Sequence, residues 1–94
     1  MTLPCFACGK KLLAAIKKNT NNQPSGAVCF RAPGQYGSRL FDPMNDNEYI
    51  EVNICDACLK KNAKKALYYV KHSNTVESFT KYIKRSYDTS PDLK

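Results

Sequence analysis

Four cysteines in two CxxC pairs, Cys5/Cys8 in "CFACG" and Cys55/Cys58 in "ICDACL", constrain this chain more than any other feature. A CxxC turn lets two sulfurs converge on one ion, and two such turns supply the four ligands of a tetrahedral thiolate site. The 46 residues between Cys8 and Cys55 would form one loop closed by the metal. Apparent binding free energies of structural zinc sites are roughly 10–16 kcal/mol, more than a small domain's entire net stability. At 94 residues the core is modest, so a metal cross-link would matter. Zinc in a closed structural site is the expected cofactor; iron, which accepts the same tetrahedral sulfur set, is the lesser alternative.

The remaining cysteine, Cys29, makes the count odd, which argues against a disulfide framework. It lies in "AVCFRA" and reads as a small buried hydrophobe. A thioredoxin-like redox pair needs a larger βαβ frame than this chain offers, although a metal-free Cys55 at a helix start would be a low-pKa thiol. No apolar run approaches the ~20 residues that span a bilayer. No basic-then-apolar leader opens "MTLPCFACGKK", so the expected location is the cytoplasm.

The order of elements suggests an α+β architecture in a single domain over residues 1–94. Residues 1–59 form a zinc knuckle and sheet, 56–88 form two basic amphipathic helices, and 89–94 are a tail. "KKLLAAIKK" (10–18) reads as a short helix with Leu12 and Ile16 on one face. "AVCFRA" and "SRLFD" read as strands joined by the turn "PGQYG", placing Tyr36 and Arg39 near a hairpin tip. In "EYIEVNI", Ile50, Val52 and Ile54 alternate with Glu51 and Asn53, the clearest strand signal in the chain. From Asp56 the period becomes helical, with Leu59, Ala63, Ala66/Leu67 and Val70 on one stripe. A second helix is expected from Asn74 as cap, with Glu77 completing a capping box and Val76, Phe79 and Ile83 facing inward. A knuckle, strands and then a helix bearing the second pair is the order of a treble-clef zinc finger. A zinc ribbon would instead carry that pair on a turn between strands.

The net charge is +7, and four thiolates on one divalent ion would lower it to +7 − 2 = +5. Residues 1–39 hold six bases and no acid, 40–58 five acids and no base, and 59–94 nine bases against three acids. Lys60, Lys61, Lys64, Lys65, Lys71, Lys81, Lys84 and Arg85, with Tyr68 and Tyr69, could meet phosphates and bases or form a solvated face. Tyr36 and Arg39 suit a protein interface. His72 reads as a helix-end residue. Asp42, Asn45, Asp46 and Glu48 lack the spacing and central glycine of a calcium loop. Paired catalytic carboxylates, a phosphate-binding glycine loop and a nucleophile elbow are missing from the sequence, so an enzyme is not expected.

The segments "CFACGK", "YGSRLFD" and "YIEVNICDACL", in that order, resemble a set of small uncharacterised bacterial and bacteriophage proteins with a zinc-finger-like pattern. The resemblance covers about residues 5–59. It implies a phage or bacterial origin, a zinc site at Cys5, Cys8, Cys55 and Cys58, and no enzymatic activity. The function this suggests is an accessory module in the host cytoplasm that binds a host macromolecule, with a protein such as a defence or transcription component favoured. A nucleic-acid partner is the alternative and a thiol redox role the second. Homodimerisation through residues 76–87 is compatible with the pattern.

Overall fold

The computed structural model describes residues 2–16, 21–34, 36–43 and 47–88. It is α+β, with two separate two-stranded antiparallel sheets and short helices. The chain divides into two compact units, Met1–Asp56 and Ala57–Lys94. Among the described residues no helix is long and apolar enough to cross a membrane.

In the first unit, β1 (Ala27–Ala32) pairs antiparallel with β2 (Ile50–Cys55). Opposed residues share a face, so Ala27/Cys55, Cys29/Asn53 and Arg31/Glu51 occupy one side of the ribbon. Val28/Ile54, Phe30/Val52 and Ala32/Ile50 occupy the other. The buried side is the polar one. Asn53 is completely buried, while Val28, Phe30 and Ile50 are exposed. The alternation in β2 therefore locates a strand as expected, but the apolar set does not mark its inside.

A reciprocal amide pair makes that polar interior affordable. Asn53 Nδ2 donates to Asn22 Oδ1 at 2.7 Å, and Asn22 Nδ2 donates back to Asn53 Oδ1 at 2.9 Å. The second proton of Asn53 goes to the Leu3 carbonyl at 2.9 Å, and Leu3 N–H donates to Asn22 Oδ1 at 3.1 Å. Asn22 Nδ2 also lies 2.8 Å from Glu51 Oε2 and, more weakly, 3.5 Å from Cys29 Sγ. Buried amides cost little when every donor and acceptor is used, and no buried side-chain polar atom is left without a partner among the described residues.

Several expected elements take another form. Residues 10–16 are not helical: Ala14 bridges Pro24, Ala15 N–H donates to the Gln23 carbonyl and Ser25 N–H to the Leu13 carbonyl, each at 2.8 Å. Leu12 is buried and Ile16 exposed, which a shared helical stripe would not allow. Lys17 and Lys18 lie outside the described residues. "SRLFD" is not a strand, and β1 pairs directly with β2 across the connection 33–49. Within that connection, Ser38 Oγ accepts from the N–H groups of Leu40 and Phe41, a local hydroxyl turn that competes with strand pairing. Tyr36 and Arg39 are consequently exposed loop residues, not a hairpin tip. Asn45, Asp46 and the 89–94 tail fall outside the described residues.

In the second unit the expected long helix is short. α1 (Asp56–Lys61) gives way to a 3₁₀ turn (Ala63–Lys65), and Ala66 is fully extended at φ −127°, ψ 154°. "LYYV" then forms β3 (Leu67–Val70), paired with β4 (Thr75–Ser78). Two tyrosines and a valine favour a pleated surface over a helix. The turn Lys71–Asn74 closes with Asn74 N–H on the Lys71 carbonyl at 3.3 Å, and Asn74 sits at φ 59°, where asparagine is tolerated better than most residues. Asn74 is thus a turn residue rather than a helix cap. The cap is Ser78, whose Oγ accepts from Lys81 N–H at 3.2 Å at the start of α2 (Phe79–Ile83). A π-helical turn (Lys84–Asp88) follows.

This unit is organised around a half-buried aromatic cluster. Tyr68 on the inner face of β3 stacks on Tyr82 with ring centres 4.2 Å apart, and Phe79 and Tyr87 flank Tyr82 at 5.7 and 6.1 Å. Arg85 lies 5.7 Å over the Tyr82 ring and is tied to Glu77 at 2.6 Å. That pair holds the Glu77 carboxyl below its ordinary 4.5.

Candidate metal centre

The first cysteine pair is shaped by a tight turn. Cys5 N–H donates to the Lys10 carbonyl at 2.9 Å and Gly9 N–H to the Cys5 carbonyl at 2.8 Å. Gly9, directly after Cys8, has φ 77°, a left-handed conformation in which a side chain would be strained. Phe6 N–H donates to the Asn53 carbonyl at 2.7 Å, and Cys5 forms a parallel bridge with Asn53. The knuckle is therefore pinned to β2 by backbone bonds on one side and by the Leu3–Asn53 bond just before it.

Cys55 is the last residue of β2, and Cys58 lies one turn further on in α1. The strand ends at the site and the helix begins there, so one short stretch delivers both sulfurs of the second pair. Asn62 closes the helix locally, its N–H and Nδ2 both donating to the Cys58 carbonyl at 3.0 and 2.9 Å.

All four sulfurs lie within 4.8 Å of one another, and Cys8 Sγ and Cys55 Sγ are 4.0 Å apart. Zn–S bonds of about 2.3 Å in a tetrahedron separate sulfurs by about 3.8 Å, whereas a disulfide requires about 2.05 Å. The five cysteines are free thiols. The spacing fits a metal tetrahedron and not a pair of disulfides.

The electrostatics fit as well. Cys5 is buried, yet its pKa is lowered from 9.0 to about 6. The Cys55 N–H, 3.3 Å from Cys5 Sγ, is the main cause. Burial opposes the shift, and the N–H groups of Cys8 and Ala7 with the Cys8 thiol assist it. Amides aimed at the sulfur stabilise the thiolate, the form a metal ligand must take. The four cysteine sulfurs make up a full tetrahedral ligand set with no other residue needed.

The other singled-out residues are not among the four clustered ligands. Cys29 is half-buried in β1 and accepts from Asn22. His72 is exposed in the β3–β4 turn. Lys60 and Lys61 close α1, Lys64 and Lys65 form the 3₁₀ turn, Lys71 begins the β3–β4 turn, Lys81 lies in α2, and Lys84 and Arg85 open the π-helical turn. They occupy five different elements rather than one face of a continuous helix. The residues that sequence reasoning missed are Asn22 and Asn53. A lone Asn in the middle of a strand was the only signal for Asn53, and Asn22, in the turn-rich loop before β1, had none.

No protein-family model, curated protein or solved structure matches the chain.

Proposed function

We propose that this chain is a zinc-stabilised, non-enzymatic interaction module of treble-clef type, and that its role is to present rigid surfaces to a macromolecule. The observation that carries this reading is the set of four cysteine sulfurs gathered within 4.8 Å. Zinc suits it because four thiolates make a closed tetrahedron of the structural kind, with no position left for a substrate or activated water. A knuckle, an antiparallel strand pair and a helix entered through the second CxxC follow one another in treble-clef order. Loss of a polar helix face does not weaken the reading, since the metal and not the helices supplies the scaffold. An accessory role toward a host macromolecule is what the sequence resemblance of residues 5–59 to small phage and bacterial proteins would imply, and it is part of this proposal.

The test is metal analysis of the purified chain. One zinc per chain by native mass spectrometry, with loss of fold on chelation, is the expected result. A chain that folds without metal and cycles Cys5/Cys8 or Cys55/Cys58 between dithiol and disulfide would replace this reading with a redox one.

A further inference from the structure

The β3–β4 ribbon uses only one of its two faces to build its unit. Tyr68 points inward onto Tyr82. On the other face, Tyr69 stands opposite Val76, and Leu67 opposite Ser78. Leu67, Tyr69 and Val76 are 60%, 65% and 54% exposed. An exposed tyrosine and two exposed aliphatic side chains thus share the outer face of a short ribbon.

Charge indicates what covers it. Residues 57–94 hold nine Lys and Arg against three Asp and Glu, a surplus of 9 − 3 = +6. Exposed Lys64 and Lys65 precede β3, and exposed Lys71 follows it. At about 3.3 Å per residue, β3 runs roughly 10 Å from Leu67 to Val70, with Lys65 just before it, Lys71 just after it and Tyr69 within it. A second copy of the chain would set like charges against each other. A polyanion complements them, and a single strand of nucleic acid adds unstacked bases for the ring.

We propose that the outer face of the β3–β4 ribbon binds single-stranded nucleic acid, with Tyr69 stacked on a base, Leu67 and Val76 against its neighbours, and Lys64, Lys65 and Lys71 on phosphates. This names a partner for the module proposed above and rests on that reading. Bases in a duplex are already stacked, so the face discriminates against double strands.

The test is fluorescence anisotropy of the full, metal-loaded chain with labelled single-stranded DNA, single-stranded RNA and duplex DNA across a salt series. Metal content is measured on the same samples. Single strands should bind more tightly than duplex, with a log–log salt slope of about −2 for three phosphates. Tyr69→Ala should weaken binding roughly tenfold or more, Tyr69→Phe should keep it within about twofold, and Lys71→Gln should reduce the slope by about 0.7. The DNA and RNA arms identify the natural source. If Tyr69→Ala fails to fold, the Lys71→Gln slope and the duplex comparison still decide. The proposal is overturned by a chain that carries its metal and binds no oligonucleotide at low salt, a result that leaves the zinc reading intact. Equal binding of polyglutamate, or a dimer in sedimentation that Tyr69→Ala dissociates, would also overturn it and assign the face to an acidic protein or to a second copy.

Discussion

Replacing Asn53 with alanine tests whether a polar clamp, rather than an apolar core, holds the knuckle to β2. The side chain is completely buried and makes three hydrogen bonds, two with Asn22 and one with the Leu3 carbonyl. At about 1 kcal/mol net each, their loss costs about 3 kcal/mol, and the stranded Leu3 carbonyl adds to this if water cannot reach it. In a domain of this size each kcal/mol moves the melting midpoint by about 4–8 °C, so Asn53→Ala should melt roughly 15 °C below the parent. Metal binding and folding are coupled in such sites. The same 3 kcal/mol should therefore appear as a loss of about a hundredfold in apparent zinc affinity, measured by competition with a chromophoric chelator. Asn53→Asp should be no better than alanine, because a carboxylate cannot donate to the Leu3 carbonyl or to Asn22 Oδ1. A variant within about 0.5 kcal/mol of the parent, with unchanged zinc affinity, would refute the clamp.

The remaining predictions concern separate parts of the chain. Cys5→Ser should abolish stoichiometric zinc binding in native mass spectra, while Cys29→Ser, outside the sulfur cluster, should retain one ion per chain. Ser78→Ala removes the acceptor for Lys81 N–H and should lower stability by about 1 kcal/mol, read by chemical denaturation. Glu51, held below its ordinary 4.5 by the Asn22 amide and then by Arg31, and Glu77, held there by Arg85, make stability depend on pH. Both carboxyls have depressed folded pKa values, so their contribution is complete above about 4.5 and disappears as pH falls through the folded values. Glu51→Gln should flatten that part of the acid limb in a melting series from pH 6 to 2, and an unchanged acid limb would exclude the carboxyl.

The cysteine spacing was legible because it is local chemistry: three-residue spacing fixes each pair, and only metal-site stoichiometry is needed to join them. The strand at Ile50–Cys55 was legible because an alternation of period two over six residues has no helical counterpart. The Leu59–Val70 stripe misled for the complementary reason. Leu59 and Ala63 do fall on α1 and the 3₁₀ turn that follows it, but Ala66 is already extended, and Val70 matches the helical period by coincidence, since that period contains "LYYV", whose own preference is pleated. Pairing with Thr75–Ser78 then decides the matter, and a partner eight residues on is invisible to a helical count. The same holds for Asn74. It is followed by Glu77 at capping-box spacing, yet the positive φ demanded by the turn takes precedence, and the cap moves to Ser78.

The orientation of β2 is the deeper lesson. Apolar-in alternation assumes that the buried side of a ribbon is filled by hydrocarbon, and here it is filled by the knuckle. A knuckle segment brings backbone groups that must be satisfied, and Leu3 and Phe6 present a carbonyl and an N–H to the strand. Asn53 meets both, the Leu3 carbonyl with Nδ2 and the Phe6 N–H with its own carbonyl; Glu51 accepts from Asn22, and Cys55 brings one of the four clustered sulfurs. The side chains of Ile50, Val52 and Ile54 offer no such group, so they take the opposite face. Where a strand faces a cysteine knuckle rather than a large apolar core, the side that faces the site is chosen by the groups it must satisfy, and hydrophobicity alone points the wrong way.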